Sequence, residues 1–247
     1  GRREPPAFVV TPATRRPGAR PLVVVHGITR NARAIADRLA DRAAAEGRVL
    51  VAPLFAEDAY PAYQRAVARC RADRALLGLI EALVGEGALA PGPVDLAGFS
   101  GGAQFAHRFA WLYPHRIGRL TVASAGWWTF PDAAPFPYGL GPATNAFAGA
   151  HRWLRANIAD FLDREIVVAV GEGDDVRDPH TRSGPLVDAQ QGPHRLARAE
   201  RWADALRAAA ERLGLEPRVS LSVLRGCGHE FLDCADAGLD ALILPGA

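Results

Sequence analysis

Val94-Asp95-Leu96-Ala97-Gly98-Phe99-Ser100-Gly101-Gly102 is the stretch on which the reading of this chain turns. An apolar run leads into Gly-x-Ser-x-Gly, and residues from about Ala103 to Tyr113 then carry apolar side chains at helical spacing. A serine at a sharp strand-to-helix turn is held in strained backbone geometry with its Oγ lifted above the sheet. The positions two before and two after it must be small, because strand and helix backbones pass close together there. The helix that follows brings the partial positive charge of its N-terminus, and the N–H of Gly101 is a natural donor to an oxyanion formed at that serine.

Working outward, the flanking segments repeat the same alternation. Phe8-Val9-Val10 reads as an edge strand after an Arg- and Pro-rich arm. Leu22-Val23-Val24-Val25 is a β-branched run of the kind buried on both faces, and it closes on His26-Gly27. A helix is expected over 31–46 with Asn31 as N-cap, a strand over 49–55, and a single long helix from about Tyr63 to Val84. Strands are expected at 120–125, 165–170 and 218–224, with a helix over 193–213 and a short helix at the end. Strands alternating with helices of this length predict a doubly wound, mostly parallel α/β sheet. With 247 residues and no repeat or low-complexity block, one domain is expected over 1–247.

A serine is a weak nucleophile without a base, and the base needs an acid to orient it. Where a Gly-x-Ser-x-Gly serine stands on such a strand-to-helix turn, its partners follow in the chain order Ser, acid, His, each after a strand. Of the seven histidines, only His229, in Gly226-Cys227-Gly228-His229, has both that order and that position. The acid is expected to be Asp174, which ends Gly171-Glu172-Gly173-Asp174, with Asp175 and Asp178 as alternatives in the same turn. The second oxyanion donor is expected in His26-Gly27-Ile28-Thr29, preferably as the Ile28 N–H, with Thr29 as runner-up because its hydroxyl could also reach the substrate.

The rest of the composition mainly excludes. Apolar residues make up 49% and charged residues 23%, which is ordinary for a globular chain. The net charge of +2 and the absence of a basic run interleaved with aromatics give no reason to invoke nucleic acid. All 29 basic residues are arginine. No apolar run reaches the roughly 18 residues of a membrane span, and no signal peptide is visible, which leaves the compartment open. Cys70, Cys227 and Cys234 lack metal spacing; Cys227 and Cys234 bracket His229 and are read either as a disulfide clamping that loop or as two free thiols.

Taken in order, His26-Gly27, Gly98-x-Ser100-x-Gly102, Gly171-x-x-Asp174 and Gly228-His229 resemble the α/β-hydrolase superfamily over nearly the whole chain. Within it the sequence is most similar to small bacterial serine esterases, of the polyhydroxybutyrate-depolymerase-like and dienelactone-hydrolase-like groups. The resemblance implies a Ser–His–Asp triad, a small-molecule ester as substrate and no cofactor. Ser100 in place of a cysteine disfavours dienelactone hydrolysis, and the lack of an aspartate there disfavours dehalogenation. A short cap is expected at about 126–164, rich in aromatics: Trp127, Trp128, Phe130, Phe136, Tyr138, Phe147 and Trp153. Trp127 is expected nearest an apolar substrate pocket. An amidase or peptidase would use the same triad, and a non-catalytic binding member would usually have lost one of its three residues.

Overall fold

The apolar runs of the sequence become adjacent strands because each is apolar on both sides and must be covered on both faces. In the computed structural model, which describes residues 4–142 and 149–246, seven strands form one sheet: β1 (Ala7–Val10), β2 (Leu22–Val25), β3 (Leu50–Pro53), β4 (Val94–Phe99), β5 (Ile117–Ala123), β6 (Glu165–Gly171) and β7 (Val219–Leu224). Their order across the sheet is β1-β3-β2-β4-β5-β6-β7. Only β1 runs antiparallel, pairing Phe8 with Ala52, and every other pairing is parallel. The doubly wound, mostly parallel α/β sheet read from the sequence is the observed one.

Side-chain alternation divides the core in two. Leu22 and Val24 of β2, with Ala97 and Phe99 of β4, pack under helix α1 (Ala32–Ala45) and the C-terminal helices. Val23, Val25 and Leu96 face the other way, onto α2 (Ala72–Gly85), α3 (Gly101–Leu112) and, further along the sheet, α7 (Arg195–Arg212). The remaining helices are α4 (Ala150–Ala156), α5 (Ile158–Leu162), α6 (Pro185–Gln191), α8 (Phe231–Cys234) and α9 (Asp240–Ile243), the last two joined by a π-helical turn.

The chain leaves β2 toward β3 on one side and later returns to β4 on the other. The strand order therefore reverses between β2 and β4. In open α/β sheets the crevice beyond the C-terminal ends of such strands is where ligands bind. Here those ends carry Gly27-Ile28 and Ser100.

One local expectation is corrected. The helix expected over 63–84 is broken: a short 3-10 turn at Tyr63–Arg65 is followed by Ala66 and Arg71 at positive φ, and the α-helix starts only at Ala72. Tertiary contacts explain the break. The Tyr63 ring stacks on Phe55 at 5.3 Å, and its hydroxyl donates to the His26 carbonyl at 2.7 Å, so the turn is pinned beneath the β2 end. Asn31 stands at the N-cap of α1, as expected, without a capping bond from its side chain.

Candidate active site

Ser100 sits between β4 and α3 at φ 54°, ψ −115°, a conformation that costs a non-glycine residue on the order of 1–3 kcal/mol. The surrounding packing sustains it. The Ser100 N–H donates to Ala123 O of β5 at 2.8 Å. A Cβ on Gly98 would lie 2.8 Å from Ala103 N and closer still to Gly102 O. A Cβ on Gly102 would lie 2.6 Å from His26 O and closer still to Val25 O. The small residues of the motif are thus required by crossing backbones, as the spacing predicts.

His229, beyond β7, reaches Ser100 Oγ through Nε2 at 2.9 Å, and its Nδ1 reaches Asp174 Oδ2 at 2.8 Å. An ionised carboxylate can only accept, so Nδ1 carries the proton and Nε2 is free to accept from the serine hydroxyl. Asp174 is buried, and Ser100 is 8% exposed. The loops that carry the acid and the imidazole are stitched together: Gly173 N donates to Cys227 O at 2.9 Å and Glu172 N to Leu224 O at 2.8 Å. Gly171 has no room for a side chain, since a Cβ there would meet Cys227 O at 2.6 Å.

The three aspartates of that turn separate by position. Asp174 faces His229, Asp175 is exposed, and Asp178 turns back on itself. Asp178 accepts from His180 N at 2.8 Å and from the Thr181 hydroxyl at 2.9 Å, and it takes the two-nitrogen fork of Arg195. Burial alone would raise its carboxyl, but the bonds from Arg195 and Thr181 and the Arg195 charge outweigh burial and hold it far below the usual carboxylate range.

The Ile28 backbone nitrogen comes within 3.3 Å of where a Gly101 Cβ would be, so the two expected oxyanion donors lie side by side. Gly101 opens α3, and its N–H has no preceding helical turn to accept it. The Gly27-Ile28 turn is rigidly backed. Buried His26 bonds through Nδ1 to Gly27 O at 2.7 Å and accepts from Phe55 N at Nε2, at 3.0 Å. Burial, helped by the nearby Arg30 charge, lowers the His26 pKa to about 4, so the ring is a neutral brace. Ile28 and Thr29 are both exposed.

The aromatic segment after β5 packs inward more than the sequence suggests. Trp127 is 7% exposed, its ring lying under the Arg108 guanidinium at 4.0 Å and against Tyr138 at 5.1 Å. Little of it is left for a substrate to touch. Trp128 stacks on Trp202 of α7 at 4.1 Å, and Phe130 and Phe136 are buried, whereas Trp153 is 65% exposed. Phe147 lies outside the described residues. Cys227 and Cys234 are free thiols 3.4 Å apart. Among the described residues no cluster of His, Cys, Asp or Glu is disposed to hold a metal ion, and no helix is long and apolar enough to cross a membrane.

Sequence reasoning missed two supports of this site, Tyr63 beneath the Ile28 turn and Arg195 behind Asp174. Nothing in their spacing marks them, because each meets its partner only across the fold.

A seven-stranded sheet of this order, with a serine on the strained turn after β4 and an aspartate and a histidine hydrogen-bonded in line with it after β6 and β7, is the α/β-hydrolase fold. No protein-family model and no curated protein sequence matches the chain. Among solved structures it is similar to LpqC, a poly(3-hydroxybutyrate) depolymerase from Bordetella parapertussis, at 28% identity and a TM-score of 0.78 over 98% of this chain and 85% of that one. It is similar to poly(aspartic acid) hydrolase-1 from Sphingomonas sp. KT-1 at 24% identity and a TM-score of 0.79, over 94% and 91% of the two chains. An S-formylglutathione hydrolase from Agrobacterium tumefaciens aligns at 15% identity and a TM-score of 0.65, over 96% and 87%. The last two likenesses bear on the fold alone.

Proposed function

We propose that this protein is a serine hydrolase acting on carboxylic esters through an acyl-enzyme on Ser100. The observation that carries the reading is the unbroken chain of hydrogen bonds from Ser100 Oγ through His229 to Asp174. Ser100 Oγ attacks the acyl carbon while its proton passes to His229 Nε2, and Asp174 stabilises the imidazolium that results. The carbonyl oxygen, now an anion, is received by the N–H groups of Gly101 and Ile28; one such donor is worth about 3–4 kcal/mol of transition-state stabilisation. His229 then protonates the leaving alcohol, and water repeats the sequence to free the acid. We assign a substrate contact to Thr29, which is exposed on the same turn as Ile28.

The likeness to a poly(3-hydroxybutyrate) depolymerase, whose polymer is joined by ester bonds, favours esters. Amide hydrolysis is the second reading of the same site, because the same triad would serve it. Hydrolysis of a short-chain p-nitrophenyl ester and of the matched anilide, by wild type beside Ser100→Ala, separates them. Wild type should turn over the ester at least about 1,000-fold faster than the variant. Preference for the anilide would favour the amide reading, and equal activity of the two proteins would remove Ser100 as nucleophile.

A further inference from the structure

Behind Asp174, on the side away from His229, lies an arginine that the relay itself does not require. Arg195 is the first residue of α7 and only 2% exposed. Its Nη1 donates to Asp174 Oδ1 at 3.1 Å and to Asp178 Oδ2 at 2.7 Å, and its Nη2 donates to Asp178 Oδ1 at 3.1 Å. The main chain repeats the attachment, with Leu196 N donating to Asp174 O at 3.1 Å. The two Asp174 oxygens are thus divided, Oδ2 to the imidazole and Oδ1 to the guanidinium.

Resting on the reading of Ser100, His229 and Asp174 as the reacting relay, we infer that Arg195 is a positioning residue for it, which orients the Asp174 carboxylate and offsets its charge, with Asp178 as the clamp that holds Arg195 in place. The geometric part follows from the planar fork. A guanidinium tied at three points cannot rotate, so the carboxylate bonded to it is held with Oδ2 toward Nδ1. The electrostatic part follows from the count of charges behind His229. Two carboxylates and one guanidinium leave the imidazole facing one net negative charge instead of two, in a buried setting where water screens poorly. Asp178 draws on Arg195 at the expense of Asp174, so the two substitutions should act in opposite senses.

The other ionisable groups packed around the relay are few. Glu172, after β6, accepts from Gly226 N at 3.2 Å. Cys227 and Cys234 lie beneath the His229 loop, and burial together with Cys227 pushes the Cys234 thiol up, so that it stays protonated. Glu230 and Asp233 follow His229 on its own segment, Asp175 is exposed, and His194 caps α7 by accepting from Ala197 N at 3.3 Å. Arg177 and Arg198 are taken up by Asp188. Arg195 is therefore the one cation bonded to the relay's carboxylate among the described residues.

The test measures, against pH, the second-order rate with a fluorophosphonate, which phosphonylates an activated serine with release of fluoride. It is run beside kcat and KM for a p-nitrophenyl ester, on wild type, Arg195→Leu, Arg195→Lys, Asp178→Asn and Ser100→Ala. Arg195→Leu should lower kcat roughly 10- to 100-fold with KM within a factor of about 3. It should also move the acid limb of the rate profile upward by roughly 0.5–1 pH unit, because an uncompensated Asp174 holds the imidazolium more tightly. Arg195→Lys should restore the limb but only part of kcat, having the charge without the fork. Asp178→Asn should move the limb downward, and it stands as the test by itself if Arg195→Leu does not fold. A Ser100-dependent enzyme whose acid limb is the same in wild type and Asp178→Asn would overturn the inference alone. Labelling of Ser100→Ala at the wild-type rate, or no labelling of wild type, would overturn the relay and the inference with it.

Discussion

Gly102→Ala is the substitution on which the crossing of β2 and α3 makes its sharpest demand. The added methyl would sit 2.6 Å from His26 O and nearer still to Val25 O, where ordinary contact begins at 3.4 Å. Both neighbours are backbone, so no side chain can swing aside; β2 and α3 must part by about 1 Å, an overpacking that costs about 3 kcal/mol. For a chain of this size that lowers the thermal midpoint by roughly 6–10 °C. The damage also reaches the chemistry, because β2 carries the Ile28 amide and α3 carries Gly101. A shift of that size between paired donors should cost kcat/KM about 100-fold. Gly85→Ala is the matched control. It ends α2, is exposed, and has nothing within 4 Å of the new methyl, so it should gain up to about 0.5–1 kcal/mol and leave kcat/KM unchanged. Urea unfolding and p-nitrophenyl ester kinetics on the three proteins decide it. Gly102→Ala with wild-type midpoint and kcat/KM would refute the backbone crossing described for the serine turn.

Two further outcomes follow from buried groups. His26, held neutral with a pKa lowered from 6.5 to about 4, takes up a proton in the unfolded chain but not in the folded one between those values. Its contribution is fully present above pH 6.5 and is lost as pH falls toward 4, to the extent of about 3 kcal/mol, and His107, also lowered by burial, adds to the loss. Unfolding free energy that stays flat from pH 6.5 to 4 would contradict the neutral braces. Cys227 and Cys234 are buried whereas Cys70 is half-exposed, so Ellman's reagent should label Cys70 alone in the native protein and all three thiols in urea. Rapid native labelling at a second cysteine would show that the His229 loop opens.

The sequence alone was enough for the sheet and the glycine-lined serine turn, because those rest on local rules. A strand buried on both faces must be apolar throughout, a tight strand-to-helix crossing must be lined by glycine, and a strand end must be followed by a turn. Gly98, Gly102 and Gly171 stand where a Cβ would strike backbone, so their spacing was legible without coordinates. Much else was decided only by tertiary contact. Residues 63–71 are helical by pattern, yet the chain breaks there because Tyr63 is drawn under the β2 end. The aromatics after β5 look like a pocket lining in sequence, but Trp128 finds Trp202 from another helix and Trp127 finds Arg108. Three aspartates within five residues are equivalent to a reader of the chain, and only the arrival of His229 on one side and Arg195 on the other tells them apart. Arg195 follows Asp174 by 21 positions, and no periodicity links residues so far apart. What joins them is the docking of α7's first turn against the end of β6, a contact that exists only once the sheet has formed.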